Sequence, residues 1–433
     1  MRINEIRIQN FKGFKELTET FDPNFTVFVG ENGSGKTSML EAVATALSSF
    51  ARNFGHDSKF DPSSVRLEPS FKGSSLVFEE CLPLSLALEG ESNGRSFSSK
   101  FQFDGSSRTG LSGSADILTY LIGRDFQRPE LTDENLTWPI LLYYDVGRGR
   151  GAKPKLDWNR LFAEKPKRSD GYKKWRDSSD LVSGFISWIG RQEAITFQEK
   201  EEPKISRIVK SAVVSCLPNA RDLQFSAKAA EPVVIWDDGT AVSFSNLSQG
   251  QKSILAMIGD IARRCATINP HLDDDSVSRT PGFVLIDELD LHLHPRWQRR
   301  IVDDLKRTFP EIQFITTTHS PFIIQALEPG ELRILGGEGP KIEYANRGIE
   351  EIARFIQGVD MPATSERFTK QKEAAKTYFQ MLREGRDESD PELLDAKSKL
   401  DRLTVSYADN PGLEAIIEMQ EETANPSILV REE

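Results

Sequence analysis

A chain of 433 residues is long for one hydrophobic core, so two or more sub-domains are expected. Its 38% hydrophobic and 28% charged residues are those of a soluble globular protein, and a net charge of −11 argues against a surface that coats nucleic acid throughout. No apolar run nears the roughly 20 residues of a membrane span. Met1-Arg2-Ile3-Asn4-Glu5 has no signal-peptide core, and Cys81, Cys216 and Cys265 lie far apart without C-x-x-C spacing, so a cytoplasmic chain with reduced cysteines is expected.

The opening, Arg2 to Phe11, alternates Ile3, Ile6 and Ile8 imperfectly with polar residues and reads as a strand. Phe25 to Val29 is a second, followed by Gly30-Glu31-Asn32-Gly33-Ser34-Gly35-Lys36-Thr37 and a helical stretch, Ser38 to Phe50. Alternating segments around Leu82 to Leu88 and Phe97 to Phe103 predict a hairpin, and Asp104 to Asp116 a loose Gly/Ser loop. Trp138 to Val146 reads as a buried strand ending at Gly147-Arg148-Gly149-Arg150. Leu181 to Ile189 and Ile205 to Leu217 have helical spacing; Val233 to Trp236 and Ala241 to Phe244 flank an Asp-Gly turn. Ser253 to Ala266 is an amphipathic helix, Pro270 to Pro281 a polar loop, and Gly282 to Ile286 and Ile312 to Thr317 short strands. The last 85 residues read as helical, polar and acidic.

The G-x-x-x-x-G-K-T segment, with a strand before and a helix after, is a phosphate-binding loop. Glycines let the backbone curl, and successive N–H groups and the helix start face phosphate oxygens. Glu31, Asn32, Gly33, Ser34, Gly35, Lys36, Thr37 and Ser38 are therefore candidate ATP contacts, with Lys36 reaching the β- and γ-phosphates and Thr37 ligating Mg²⁺. Phe283-Val284-Leu285-Ile286-Asp287-Glu288 ends an apolar run in two acids. Asp287 at the strand end suits the Mg²⁺ shell, and Glu288 suits polarisation of the attacking water.

Between these, Leu247-Ser248-Gln249-Gly250-Gln251-Lys252 resembles the ABC signature with Gln249 in place of the first glycine; alone, it reads equally as a helix start capped by Ser248. Leu289-Asp290 continues as a D-loop, and Thr317-Thr318-His319-Ser320 places a histidine after the next strand. The joint order resembles the ABC ATPase superfamily. The phrases I-R-I-Q-N-F-K-G-F and G-E-N-G-S-G-K-T-S-M-L-E-A are similar to its RecF/SMC/OLD branch. D-E-L-D-L-H-L-H-P, T-T-T-H-S-P and the later V-D-M-P-A-T-S-E-R-F resemble the ATPase subunits of Septu and retron-Septu defence systems.

That resemblance implies an α/β fold: an ABC-ATPase head with a mixed phosphate-loop sheet and an N-terminal antiparallel β subdomain, plus a helical insertion and a helical C-terminal extension. The expected divisions are 1–146, 147–232, 233–335 and 336–433. It implies ATP and Mg²⁺ as cofactors and a homodimer or higher homo-oligomer. There Ser248, Gly250 and Gln251 of one protomer close over the γ-phosphate held at Lys36 of another, and His319 contacts the same phosphate. It implies slow ATP hydrolysis that regulates a separate HNH-type nuclease, with a reverse transcriptase and its msDNA, or other nucleic acid, as a further partner through residues 148–176. A RecF-like DNA-repair ATPase is the alternative. No intrinsic nuclease is expected: no Asp-x-Asp and no histidine follows His319.

Several segments carry two readings. From Arg148 to Arg176 eleven Lys/Arg face three Asp/Glu, with Trp158, Phe162, Tyr172 and Trp175 interleaved. That composition suits single-stranded nucleic acid, or a basic loop whose aromatics anchor it to the core. Arg148 also occupies the place of an ABC Q-loop, without its glutamine. His292 and His294 suggest a metal pair, or simply the D-loop segment. From Glu384 to Glu433 the balance is fourteen acids to five bases, and Leu393, Leu394, Leu400, Leu403, Leu413, Ile416 and Ile417 suggest packing against a partner.

Overall fold

The computed structural model describes residues 1–52, 60–92, 95–105, 135–149, 166–336, 344–345, 347–359, 362, 366–387 and 389–404. They fall in two compact units, Met1–Gln357 and Gly358–Glu433.

The first unit is built on a five-stranded parallel sheet. In spatial order it runs β14 (Leu332–Ile334), β3 (Phe25–Val29), β13 (Ile312–Thr317), β12 (Gly282–Ile286) and β8 (Ile140–Tyr144). Every residue of β3, β8, β12 and β13 is buried, which is why these strands read as unbroken apolar runs. Their carboxyl ends deliver Gly30, Asp145, Asp287 and Thr318 to one edge, where ligands bind in parallel α/β sheets.

A second, antiparallel sheet has the order β2 (Phe14–Thr20), β1 (Arg2–Phe11), β6 (Leu84–Ser92), β7 (Arg95–Phe103). A bulge between Ile3 and Glu5 in the β1–β6 pairing explains the imperfect alternation, since one extra residue shifts Ile6 and Ile8 onto the face of Ile3. The helix Lys36–Ala46 packs between this sheet and the parallel one, against β1, β6 and β7 on one side and β12 and β13 on the other. It is shorter than the sequence suggests: the chain turns at Leu47, and a separate helix covers Ser48–Arg52.

The Asp-Gly hairpin forms as β10 (Glu231–Trp236) and β11 (Ala241–Ser243), with Gly239 at φ +82°; the unanticipated β9 (Ala220–Ser226) completes a three-stranded sheet. The helices Leu181–Glu199 and Gln249–Ile268 run past the expected Leu181–Ile189 and Ser253–Ala266. Pro270 to Pro281 is not a plain loop: it winds through Pro270–Asp275 and the short helix Ser276–Arg279, burying Ser276, Val277 and Thr280.

A further hairpin went unforeseen. β4 (Leu67–Lys72) and β5 (Ser75–Glu80) pair only with each other and set Phe71 opposite Leu76 and Pro69 opposite Phe78. The apolar face points to solvent, with Leu67 50%, Phe71 77%, Leu76 53% and Phe78 59% exposed.

In the second unit the helices Glu366–Arg383 and Pro391–Thr404 share a small core of Ala374, Tyr378, Phe379, Leu393 and Leu400. Leu393 and Leu400 therefore pack within the helix pair rather than being left for a partner. Leu394 is exposed, while Leu413, Ile416 and Ile417 lie outside the described residues. Among the described residues no helix is long and apolar enough to cross a membrane.

Candidate nucleotide-binding site

The phosphate loop leaves β3 at Val29 and curls back through Gly33 at φ +85° and Gly35 at φ +97°. Gly35 is doubly constrained, because a Cβ there would sit 2.5 Å from the Phe14 ring. As the residue before the helix, it brings no side chain to cap the first turn. The first N–H groups of Lys36–Ala46 are thus left facing the loop, where an anion satisfies them. Ser34 points the same way: its hydroxyl is buried and has no hydrogen-bond partner.

Lys36 is largely buried, and its Nζ donates to the carbonyls of Gly30 and Glu31, both at 2.9 Å. Burial pulls its pKa below the usual lysine value, opposed by the nearby carboxylates of Asp287 and Glu288.

Asp287 is 1% exposed at the end of β12. Its Oδ2 accepts from the Thr37 hydroxyl at 2.8 Å, and its Oδ1 from the Thr317 hydroxyl at 2.6 Å. A hydroxyl and a carboxylate oxygen 250 residues apart in sequence thus meet at one point. An all-oxygen pair with phosphate and water for company suits Mg²⁺, which takes few protein ligands at nucleotide sites. Among the described residues no group of three or more His, Cys, Asp or Glu could hold a metal.

Glu288 follows in the left-handed region at φ +48°, a conformation a non-glycine residue keeps only when its neighbours impose it. Its N–H donates to Thr317 Oγ1 at 2.7 Å, and Arg148 donates to its carbonyl and to that of Asp287. His319 comes off the neighbouring strand β13. Its N–H donates to Asp290 at 3.2 Å, Thr318 bonds the same carboxylate, and its carbonyl accepts from Gln357 at 2.7 Å.

The structure therefore brings Lys36, Thr37, Asp287 and Glu288 together. Ser248, Gly250 and Gln251 form the start of the long helix Gln249–Ile268. There Ser248 Oγ accepts from Gln251 N at 3.3 Å and Gln251 Oε1 accepts from Ser248 N at 2.9 Å, a reciprocal cap. Gly250 lies against the D-loop segment so closely that a Cβ would be 2.1 Å from the His292 carbonyl oxygen.

The paired histidines have local roles in the backbone. His292 turns the backbone at φ +62°, and His294 caps the next helix by accepting from Arg296 N at 3.2 Å.

The basic segment is corrected in part. Arg148, Tyr172 and Trp175 are buried, so they cannot stack on or contact a nucleic acid; Trp158 and Phe162 lie outside the described residues. Tyr172 donates to the Pro139 carbonyl at 2.6 Å, and Arg264 on the long helix holds the carbonyls of Gly171 and Lys173. The same Arg264 pairs with Asp260, which also accepts from Tyr144 at 2.9 Å. Burial would raise the Asp260 pKa, but Arg264 and Arg263 overcome it and hold it at about 2. Exposed Lys173 and Lys174 pair with Asp170 and Asp180.

Thr317 and Arg148 are the site residues whose roles escaped the sequence. A polar residue ending β13 was the only signal for the first. For the second it was the position just after a buried strand, in the place of a Q-loop, which did not show that the side chain would hold the Asp287 and Glu288 carbonyls.

Comparison with known proteins follows the same lines. A retron Vc95 probable ATPase of Vibrio cholerae serotype O1 biovar El Tor is 28% identical over 77% of this chain and 73% of its own length. A Septu protein PtuA of Bacillus thuringiensis is 24% identical over 83% of this chain and 84% of its own. The solved SMC head domain from Thermotoga maritima matches with a TM-score of 0.41 at 16% identity, over 77% of this chain and 94% of that one. The family model described as "AAA domain, putative AbiEii toxin, Type IV TA system" matches residues 25–325, the span that runs from β3 past His319, and the chain belongs to this family of AAA-domain ATPases.

Proposed function

We propose that the chain binds Mg²⁺-ATP at the phosphate loop and hydrolyses it slowly at a site completed by a second copy, and that this cycle controls a separate HNH-type nuclease in anti-phage defence. The meeting of the Thr37 hydroxyl and the Asp287 carboxylate at 2.8 Å, one residue from Lys36 and one from Glu288, carries the reading. Lys36 would hold the β- and γ-phosphates, and Thr37 and Asp287 the Mg²⁺, whose charge would offset that on the phosphate oxygens. Glu288 would orient and deprotonate water, and His319 would sense the γ-phosphate. Ser248, Gly250 and Gln251 would complete the site from the partner copy. The defence role leans on the names of the retron and Septu relatives.

Glu288→Gln tests the chemistry, since it keeps size and polarity but removes the base. Turnover should fall about 10²-fold or more while ATP binding by titration calorimetry persists. Hydrolysis at the wild-type rate would remove Glu288 from the mechanism. Co-purification of the tagged chain with the product of an adjacent HNH-encoding gene tests the partner; a chain that co-purifies with no nuclease and binds gapped DNA would favour the repair alternative.

A further inference from the structure

We propose that Arg148 is a positioning residue for hydrolysis: its guanidinium clamps the backbone carbonyls of Asp287 and Glu288 and so fixes where the Glu288 carboxylate stands. The proposal rests on the reading of Glu288 as the residue that activates water.

Glu288 keeps its left-handed φ of +48° because the peptide around it is held from three sides. Its N–H is taken by Thr317 Oγ1 at 2.7 Å, Asp287 is tied to Thr37 and Thr317, and the two successive carbonyls are taken by Arg148 Nη1 and Nη2. Two adjacent carbonyls held by one side chain is a task for the planar fork of a guanidinium, which a single ammonium meets only by half. The clamp is itself anchored. Arg148 is 3% exposed, just past β8, whose Tyr144 carbonyl accepts from Asp287 N at 2.8 Å. The turn before it is pinned by Asp145, whose Oδ1 accepts from Gly147 N at 2.9 Å and Ser178 Oγ at 2.7 Å. Among the described residues, the side-chain hydrogen bonds of Arg148 go to the backbone around the two acids and to its own turn. Without it, Glu288 is free to relax from the strained conformation and carry its carboxylate off line.

The test pairs Arg148→Lys and Arg148→Gln with the wild type and with Glu288→Gln, reading steady-state kcat and KM for ATP hydrolysis, ATP affinity and melting temperature. Either variant serves if the other fails to fold. In the wild-type background kcat should fall roughly 10- to 10²-fold with KM within about threefold, because a misplacement of about 1 Å costs about 10²-fold. Arg148→Lys, which keeps one of the two bonds, should lose less than Arg148→Gln. In the Glu288→Gln background the same changes should lower the residual rate by less than about twofold, since the group they position is gone. An unchanged kcat would overturn the proposal, and so would an equal fall in both backgrounds, which marks a general structural role. Glu288→Gln hydrolysing at the wild-type rate would instead sink the reading beneath it.

Discussion

Two helix starts in this molecule have the same electrostatics and opposite preparation. Lys36–Ala46 begins after Gly35, with φ +97° and no side-chain cap; Gln249–Ile268 begins at Ser248 and is closed by a reciprocal bond with Gln251. Both ends carry the partial positive charge of unpaired N–H groups. The first leaves those groups to an anion; the second satisfies one with its own serine. Capping does not disqualify Ser248 from meeting a nucleotide. The hydroxyl accepts from Gln251 N, so its own hydrogen stays free to donate. Helix cap and phosphate contact are compatible uses of one oxygen, a point the sequence motif leaves open.

The sharpest way to break the comparison is to ask whether the closed start serves another copy's open one. Ser248→Arg should abolish hydrolysis, about 10²-fold or more, while leaving calorimetric ATP binding near wild type; Lys36→Ala should lose most of that binding. Mixed dimers of the two variants hold one site with both defects and one with neither, so activity should return on mixing. Confirmed mixed dimers that stay dead would count against a shared site, and an active Ser248→Arg would reduce Ser248 to a cap. A smaller effect is expected at Gly250→Ala. The new Cβ would meet the His292 carbonyl at 2.1 Å, so the helix or the D-loop must give way, at roughly 1–3 kcal/mol by denaturant melting. No loss of stability would show that the contact is slack. Smallest of all is Ser248→Ala, which should cost about 1 kcal/mol of stability as a lost cap. If its hydrolysis also falls while the protein remains folded, the free hydrogen of the hydroxyl is in use.

How much of this could be read beforehand depended on how local the signal was. The phosphate loop, its feeding strand and Asp287-Glu288 are contiguous, and their chemistry shows in the letters. β3, β8, β12 and β13 were legible because burial on both faces leaves unbroken apolar runs. The β4–β5 hairpin was not, because it inverts the usual rule. Phe71, Leu76 and Phe78 face water, and Pro69 sits within a strand, so the pattern resembles a turn-rich loop. Arg148 was left between two readings, a basic segment and the place of a Q-loop, for a related reason. Its neighbours in sequence are basic, but its neighbours in space are the Asp287 and Glu288 carbonyls, some 140 residues away. Sequence shows what a residue is beside in the chain; long-range partners of a buried cation leave no mark there.

The long helix has a mechanical consequence. Sixteen of its twenty residues are buried, and it spans about 30 Å. One end rests on the His292 carbonyl through Gly250. At the other, Asn269 exchanges hydrogen bonds with the Trp138 backbone, its Nδ2 donating at 2.8 Å and its Oδ1 accepting at 2.7 Å. Midway, Gly259 lies so near Phe185 that a Cβ would be 2.1 Å from the ring. A rod gripped at both tips and at its waist has no soft mode by which the first turn can slide alone. A displacement at Ser248 would carry the far tip with it, so any such movement belongs to the microsecond-to-millisecond clock of collective motions rather than to the nanosecond flicker of a loop.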